Sequence, residues 1–165
     1  MSREGHEPRR VLHVPSAGGD AISVYGDKDI IKASSEDTDG ALTFMETVVP
    51  PHAGPPLHIH RRESEAIYVL DGDLKIVDGD RSFLIGDGDF VYMPQGSTHR
   101  FENVRDTRST ILLFFIPAGF EGYLKDMADS VAEGESVAAA HTDLAKAARI
   151  GANYGLEIVE KPPPE

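Results

Sequence analysis

Between residues 41 and 117 apolar and polar positions alternate in short runs, each closed by turn-forming residues. ALTFMETVV (41–49), EAIYVLDG (65–72), DLKIVDG (73–79), RSFLIGDG (81–88), DFVYMP (89–94), HRFENV (99–104) and STILLFFIP (109–117) are rich in β-branched and aromatic residues, which suit a pleated, half-buried surface. Asp71–Gly72, Asp78–Gly79 and Asp87–Gly88 stand between the runs, and their glycines supply the positive φ that tight turns require. A strand and turn in about every ten residues predicts an all-β sandwich or barrel.

Beyond residue 118 the period changes. Phe120, Tyr123, Leu124 and Met127 fall at i, i+3, i+4 and i+7, one face of a helix, and Leu144, Ala147, Ala148 and Gly151 repeat the spacing behind Thr142 and Asp143 as candidate caps. Gly155 is expected to end the second helix, AEGESVAAA to be a loop and KPPPE a frayed end. The organisation expected is an N-terminal arm with strands over 1–38, a barrel core over 39–118 and a C-terminal helical extension over 119–165 that covers the barrel or packs on a partner subunit.

Composition narrows the chemistry. With no cysteine in 165 residues, disulfides, thiolate metal sites and a cysteine nucleophile are excluded, and a reducing cytoplasm is the expected location. A formal charge of −12, from 28 acidic and 16 basic residues, repels phosphate backbones and anionic membranes, so no nucleic-acid or membrane partner is expected. The longest apolar run, ILLFFIPAGF at 111–120, is broken by Pro117 and too short to span a bilayer.

Against that background HIHRRESE at 58–65 carries candidate chemistry. Side chains alternate along a strand, so His58 and His60 project from one face with Ile59 turned away. Glu65 opens the following strand with Ile67 and Val69 on its face, so one hairpin is expected to deliver two nitrogens and one oxygen to a point. Glu63 has the same parity and is a competing ligand, placed second because it falls in the connection. A third imidazole comes from GDFVYMPQGSTHRFEN (88–103), where His99 opens a strand with Phe101 and Asn103 on its face. Three neutral imidazoles and a carboxylate suit iron, nickel, cobalt, manganese, copper or zinc, whereas magnesium and calcium prefer all-oxygen shells. Such a set leaves coordination positions for water, substrate or dioxygen. His6, His13, His52 and His141 read as ordinary surface histidines. Phe44, Tyr68, Tyr92, Phe101 and Phe114 read first as core; Phe101, together with Ile67 and Phe44, is a candidate for lining a substrate pocket. No GxSxG elbow surrounds Ser97 and no phosphate-binding glycine loop is present.

HIHRRESEAIYVLDG resembles the first cupin motif, HxH, four residues, Glu, six residues, Gly; GDFVYMPQGSTHRFEN matches the second, GxxxxxPxGxxHxxxN, at each fixed position. The resemblance covers residues 40–118 or so. One departure is that the glycine usually found five residues before the first histidine is nearer, at Gly54. The resemblance implies a double-stranded β-helix, or jelly roll, with one divalent transition metal per chain held by His58, His60, Glu65 and His99. LTFMETVVPPHAGPPLHIHRRESEAIYVLDG and PAGFEGYLKDMA are similar to a narrower group, small single-domain cupins like bacterial quercetin dioxygenases. For that group the implied ions are iron, manganese, nickel or cobalt, and the implied role of Glu65 is ligand and base toward the enol of a flavonol. The expected function is therefore a dioxygenase of an enolisable aromatic or polyketide-like molecule, using dioxygen. The alternatives are a non-oxidative isomerase, dehydratase or cyclase, and a small-molecule-binding module without catalysis. A homodimer is expected, because sheet edges are commonly buried by pairing.

Overall fold

The computed structural model describes residues 10–128 and 143–159. Eleven strands are found among them: β1 (Asp20–Val24), β2 (Asp27–Ala33), β3 (Thr43–Val49), β4 (His58–His60), β5 (Ser64–Asp71), β6 (Leu74–Asp78), β7 (Arg81–Ile85), β8 (Phe90–Met93), β9 (Thr98–Glu102), β10 (Ser109–Ile116) and β11 (Leu156–Ile158). Helix α1 (Ser35–Thr38) follows β2, α2 (Glu121–Ala128) follows β10, and α3 (Leu144–Gly151) runs through a short 3-10 turn, Ala152–Tyr154, into β11.

The strands form two antiparallel sheets, one ordered β1-β2-β3-β10-β5-β8 and the other β11-β4-β9-β6-β7. From β3 onward the chain passes repeatedly between the sheets, which gives the jelly roll. The turns behave as their glycines require: Gly72, Gly79 and Gly88 all have positive φ. Alternation then decides what is inside. On β3 the residues Thr43, Met45, Thr47 and Val49 are buried while those between them are half-exposed, and β10 shows the same pattern. Ile67, Val69, Leu74, Ile76 and Ile111 are among the fully buried side chains. Each such burial contributes about 1.5–3 kcal/mol.

Alternation also places Tyr68 and Tyr92, expected in the core, on the outward parity of β5 and β8, where they are 39% and 56% exposed. Phe44 and Phe114 lie outward too, half-buried, and pack against each other, tilted by 40°, across β3 and β10 with ring centroids 4.9 Å apart.

The C-terminal region contains more than helices. Phe120, Tyr123, Leu124 and Met127 are all buried, as the helical spacing requires. Asp143 caps α3 by accepting a hydrogen bond from the Lys146 amide at 3.0 Å, and Ala147 and Gly151 turn inward while Ala148 is exposed. After Gly155, whose φ is +70°, the chain becomes β11, an edge strand whose Leu156 and Ile158 stand opposite His60 and His58. Three residues between Gly155 and Val159 carry too little period to mark a strand, and pairing with β4 is what makes them one. The segments AEGESVAAA and KPPPE lie outside the described residues.

Candidate metal centre

Strand β4 is short, and its two histidines share a face. It pairs with β9 in a register that sets His58 directly opposite His99, so three imidazoles gather at one end of one sheet. Two devices hold that register. Gly54 lies so close to β9 that a Cβ there would stand 2.3 Å from the Phe101 carbonyl oxygen; glycine is the residue that allows the approach. Asn103, fully buried, donates from Nδ2 to the Val49 and Thr107 carbonyls at 3.1 and 2.8 Å and accepts at Oδ1 from the Arg105 amide at 2.9 Å. The asparagine thus ties down the loop that leaves β9.

Glu65 arrives differently from the expectation of a single hairpin. Between His60 and Ser64 the chain crosses to the opposite sheet, where β5 pairs with β10 and β8. The carboxylate therefore faces the imidazoles across the barrel interior instead of standing beside them in a ladder. Its Oε2 lies 3.1 Å from His60 Nε2, 3.0 Å from His99 Nε2 and 3.8 Å from His58 Nε2, and the His58 and His60 Nε2 atoms are 3.1 Å apart. One donor atom from each residue lies within 4.8 Å of every other. Ligands about 2.1 Å from a common ion are separated by about 3.0–3.4 Å at adjacent octahedral or tetrahedral positions; three of these separations fall in that range and the His58–Glu65 distance of 3.8 Å is longer.

The outward ring nitrogens say which way the lone pairs point. His58 Nδ1 lies 2.7 Å from the Pro56 carbonyl, His60 Nδ1 2.6 Å from Glu63 Oε1, and His99 Nδ1 2.9 Å from Ser97 Oγ and 3.2 Å from the Ser97 carbonyl. A carbonyl or carboxylate only accepts, so each Nδ1 has a partner for its proton and each neutral ring turns a bare Nε2 inward. Three inward lone pairs and a carboxylate oxygen, all buried, repel one another unless a cation or protons lie between them. The donor set fits a divalent transition ion.

Without an ion, protons on the ring nitrogens facing Glu65 take its place. Burial opposes ionisation of Glu65, but the hydrogen bonds to His58, His60 and His99 outweigh it and hold the carboxyl well below its usual range. Burial likewise works against charge on His60; the hydrogen bonds to Glu63 and Glu65 overcome it and raise its pKa to about 9. His58, with burial dominant, is pushed down. Glu63, weighed in the sequence as a rival ligand, is buried and supports His60 from behind. Its signal was its position three residues after His60.

The centre opens into a cavity. His58, His60 and Glu65 line it together with Met45, Pro55, Phe101, Leu113 and Phe120. Phe101 is thus where its parity puts it. Ile67 shares the face of Glu65 but is wholly buried in the core and does not reach the cavity wall, and Phe44 sits on the outer face of β3. Unforeseen wall residues are Leu124 from α2, Leu156 and Ile158 from β11, and Tyr25, Asp27 and Asp29 from β2 and the turn before it. Their signal was faint: Asp27 and Asp29 share parity with the apolar Ile31 and Ala33 on β2. His13 and His52 are exposed, with His52 bonded to Asp106 at 2.9 Å; His6 and His141 lie outside the described residues.

A cupin domain matches residues 45–116. Over 47 residues the chain is 45% identical to quercetin 2,3-dioxygenase of Bacillus subtilis (strain 168), an overlap of 28% of this chain and 14% of that protein's length. Among solved structures, a predicted oxalate decarboxylase from Thermotoga maritima superposes with a TM-score of 0.59 at 24% identity, covering 64% of this chain and 99% of its own. The polyketide cyclase RemF from Streptomyces resistomycificus does so with a TM-score of 0.58 at 22% identity, covering 65% and 80%. These last two likenesses concern the fold.

Proposed function

We propose that the chain, whose residues 45–116 match a cupin domain, is a metal-dependent cupin enzyme, a dioxygenase acting on an enolisable aromatic or polyketide-like small molecule. The observation that carries the reading is the set of inward Nε2 lone pairs of His58, His60 and His99 facing the Glu65 carboxylate at the wall of a largely apolar cavity. The local identity to a quercetin dioxygenase supports the oxidative chemistry. Iron, nickel, manganese or cobalt fits the donors, with zinc or copper as further candidates.

A divalent ion bound there would supply Lewis acidity toward an enol oxygen and a place for dioxygen. The chain's own residues do the rest. The imidazoles are fixed in tautomer and orientation by Pro56, Glu63 and Ser97. Glu65 is ionised through the neutral range, so it is free to take the proton of an enol or hydroxyl entering beside it. Apolar walls from β3, β9, β10 and α2 exclude water from that transfer and accept a ring.

A second reading keeps the same residues and omits dioxygen: Glu65 moves a proton in an isomerisation, dehydration or cyclisation, as the likeness of fold to a polyketide cyclase suggests. Oxygen consumption separates the two. Protein from iron- or nickel-supplemented cells is expected to carry about one ion per chain and to consume oxygen with a flavonol; turnover unchanged without oxygen favours the second reading, and absence of metal removes both. We also infer that the exposed apolar residues Phe90, Tyr92 and Tyr68 along the β8 edge are covered by a second copy of the chain. Light scattering giving a monomer mass at micromolar concentration would contradict that.

A further inference from the structure

Strand β2 begins with two acids on its inward face. Asp27 and Asp29 are two positions apart, so both carboxyls point into the barrel, at 5% and 4% exposure. Asp29 is accounted for: it stands opposite Thr47 on β3 and accepts a hydrogen bond from Thr47 Oγ1 at 2.6 Å. Asp27 is different. Its Oδ1 is shut off from solvent and has no hydrogen-bond partner among the described residues. A buried polar atom without a partner opposes folding, and natural interiors contain few.

Both acids line the cavity that contains His58, His60 and Glu65. The hydroxyls of Tyr25 and Tyr123, in the same wall, are bonded to each other. No lysine or arginine is among the described residues that line the cavity, so neither of those side chains meets the Asp27 carboxyl there. Asp27 Oδ1 is left as an unengaged acceptor in a mostly apolar wall.

We propose that Asp27 anchors the ligand: its Oδ1 takes a hydrogen bond from a hydroxyl on the apolar, ring-bearing body of a molecule whose enol end meets His58, His60, Glu65 and His99. The proposal rests on the function argued above. A hydroxyl is the matching group because it both donates and accepts, and so suits the carboxyl with or without its proton. Burial first, and the charge of Asp29 second, push the Asp27 carboxyl well above its usual range. An ammonium group would suit only the ionised form. Asp27 is thus a specificity-determining residue, holding the ring in place while the chemistry occurs elsewhere.

The test uses metal-loaded full-length protein without oxygen and two probes, 3-hydroxyflavone, whose hydroxyl is the enol alone, and quercetin, which carries further ring hydroxyls. The parent is expected to prefer quercetin by roughly tenfold, the worth of one well-made hydrogen bond to a buried acceptor. Asp27→Leu should abolish the preference while keeping 3-hydroxyflavone affinity and metal content, and Asp27→Asn, which retains an acceptor, should keep most of it. Without ligand, Asp27→Leu should melt higher by roughly 2–4 °C, because an orphaned polar group has been removed. A preference that survives Asp27→Leu overturns the anchor and leaves the metal–enol reading standing. A lower melting temperature with equal loss of both probes makes Asp27 a structural residue and also overturns it, as does a parent that prefers ring amines over ring hydroxyls. A parent that holds metal yet binds neither probe removes the enol reading and the anchor together.

Discussion

Replacing Glu63 should weaken metal binding at the candidate site although Glu63 lies outside the cluster of His58, His60, Glu65 and His99. The carboxylate is 3% exposed and accepts from His60 Nδ1 at 2.6 Å, a charge-assisted bond worth about twice a neutral one. Glu63→Gln keeps an acceptor and removes the charge, which should lower metal affinity by about tenfold; Glu63→Ala leaves the buried Nδ1–H without a partner and should lower it by about a hundredfold. The assay is competition with a colorimetric chelator for cobalt or zinc. Its pH dependence sharpens the argument. The same carboxylate helps hold the His60 pKa up at about 9, so near pH 7 a proton competes with the ion more strongly in the parent than in either variant. That competition fades as pH approaches 9, and the parent's advantage should be larger at pH 8.5 than at pH 7. Affinities of parent, Gln and Ala variants within twofold of one another at both pH values would refute the reasoning.

Three further outcomes are expected. Gly54→Ala should destabilise the fold by about 1–3 kcal/mol in urea denaturation, since its Cβ would stand 2.3 Å from a β9 carbonyl; unchanged stability would mean that the loop before β4 shifts freely. His99→Ala should leave the protein without stoichiometric metal by elemental analysis, and Glu65→Gln should keep the fold while losing most turnover. Asp29 has its pKa raised to about 7, with burial dominant over the opposing Thr47 hydrogen bond. A carboxyl raised in the folded state contributes stability that is full below the unfolded value near 3.8 and is lost as pH rises through 7. The parent should lose roughly 3 kcal/mol at most from this group between pH 5 and pH 8, and Asp29→Asn should decline less steeply; coincident slopes in thermal melts would refute it.

Much of the candidate centre is legible in the sequence. A period of two decides which side chains share a face, so His58 with His60 and His99 with Phe101 followed from spacing alone. The glycines at turns and the helical spacing from Phe120 to Met127 are local in the same sense, depending on dihedral preferences and periodicity within a few residues. The two motifs, each with several residue types at fixed offsets, added the fold.

Period two does not say which sheet a strand enters. Glu65 was expected beside the histidines in a hairpin and instead meets them from the opposite sheet, because pairing of β5 with β10 and β8 decides its place. Asp27 and Asp29 reach the cavity only because β2 lies in register against β3, and Leu156 and Ile158 only because β11 finds the open edge of β4. Tyr68 and Tyr92 look like core residues in composition and stand outward by parity. The chain by itself therefore determined the faces, the turns and the candidate donor residues. Contacts between residues far apart in sequence, whose pairing is selected by the burial of whole faces, decided what those faces look at.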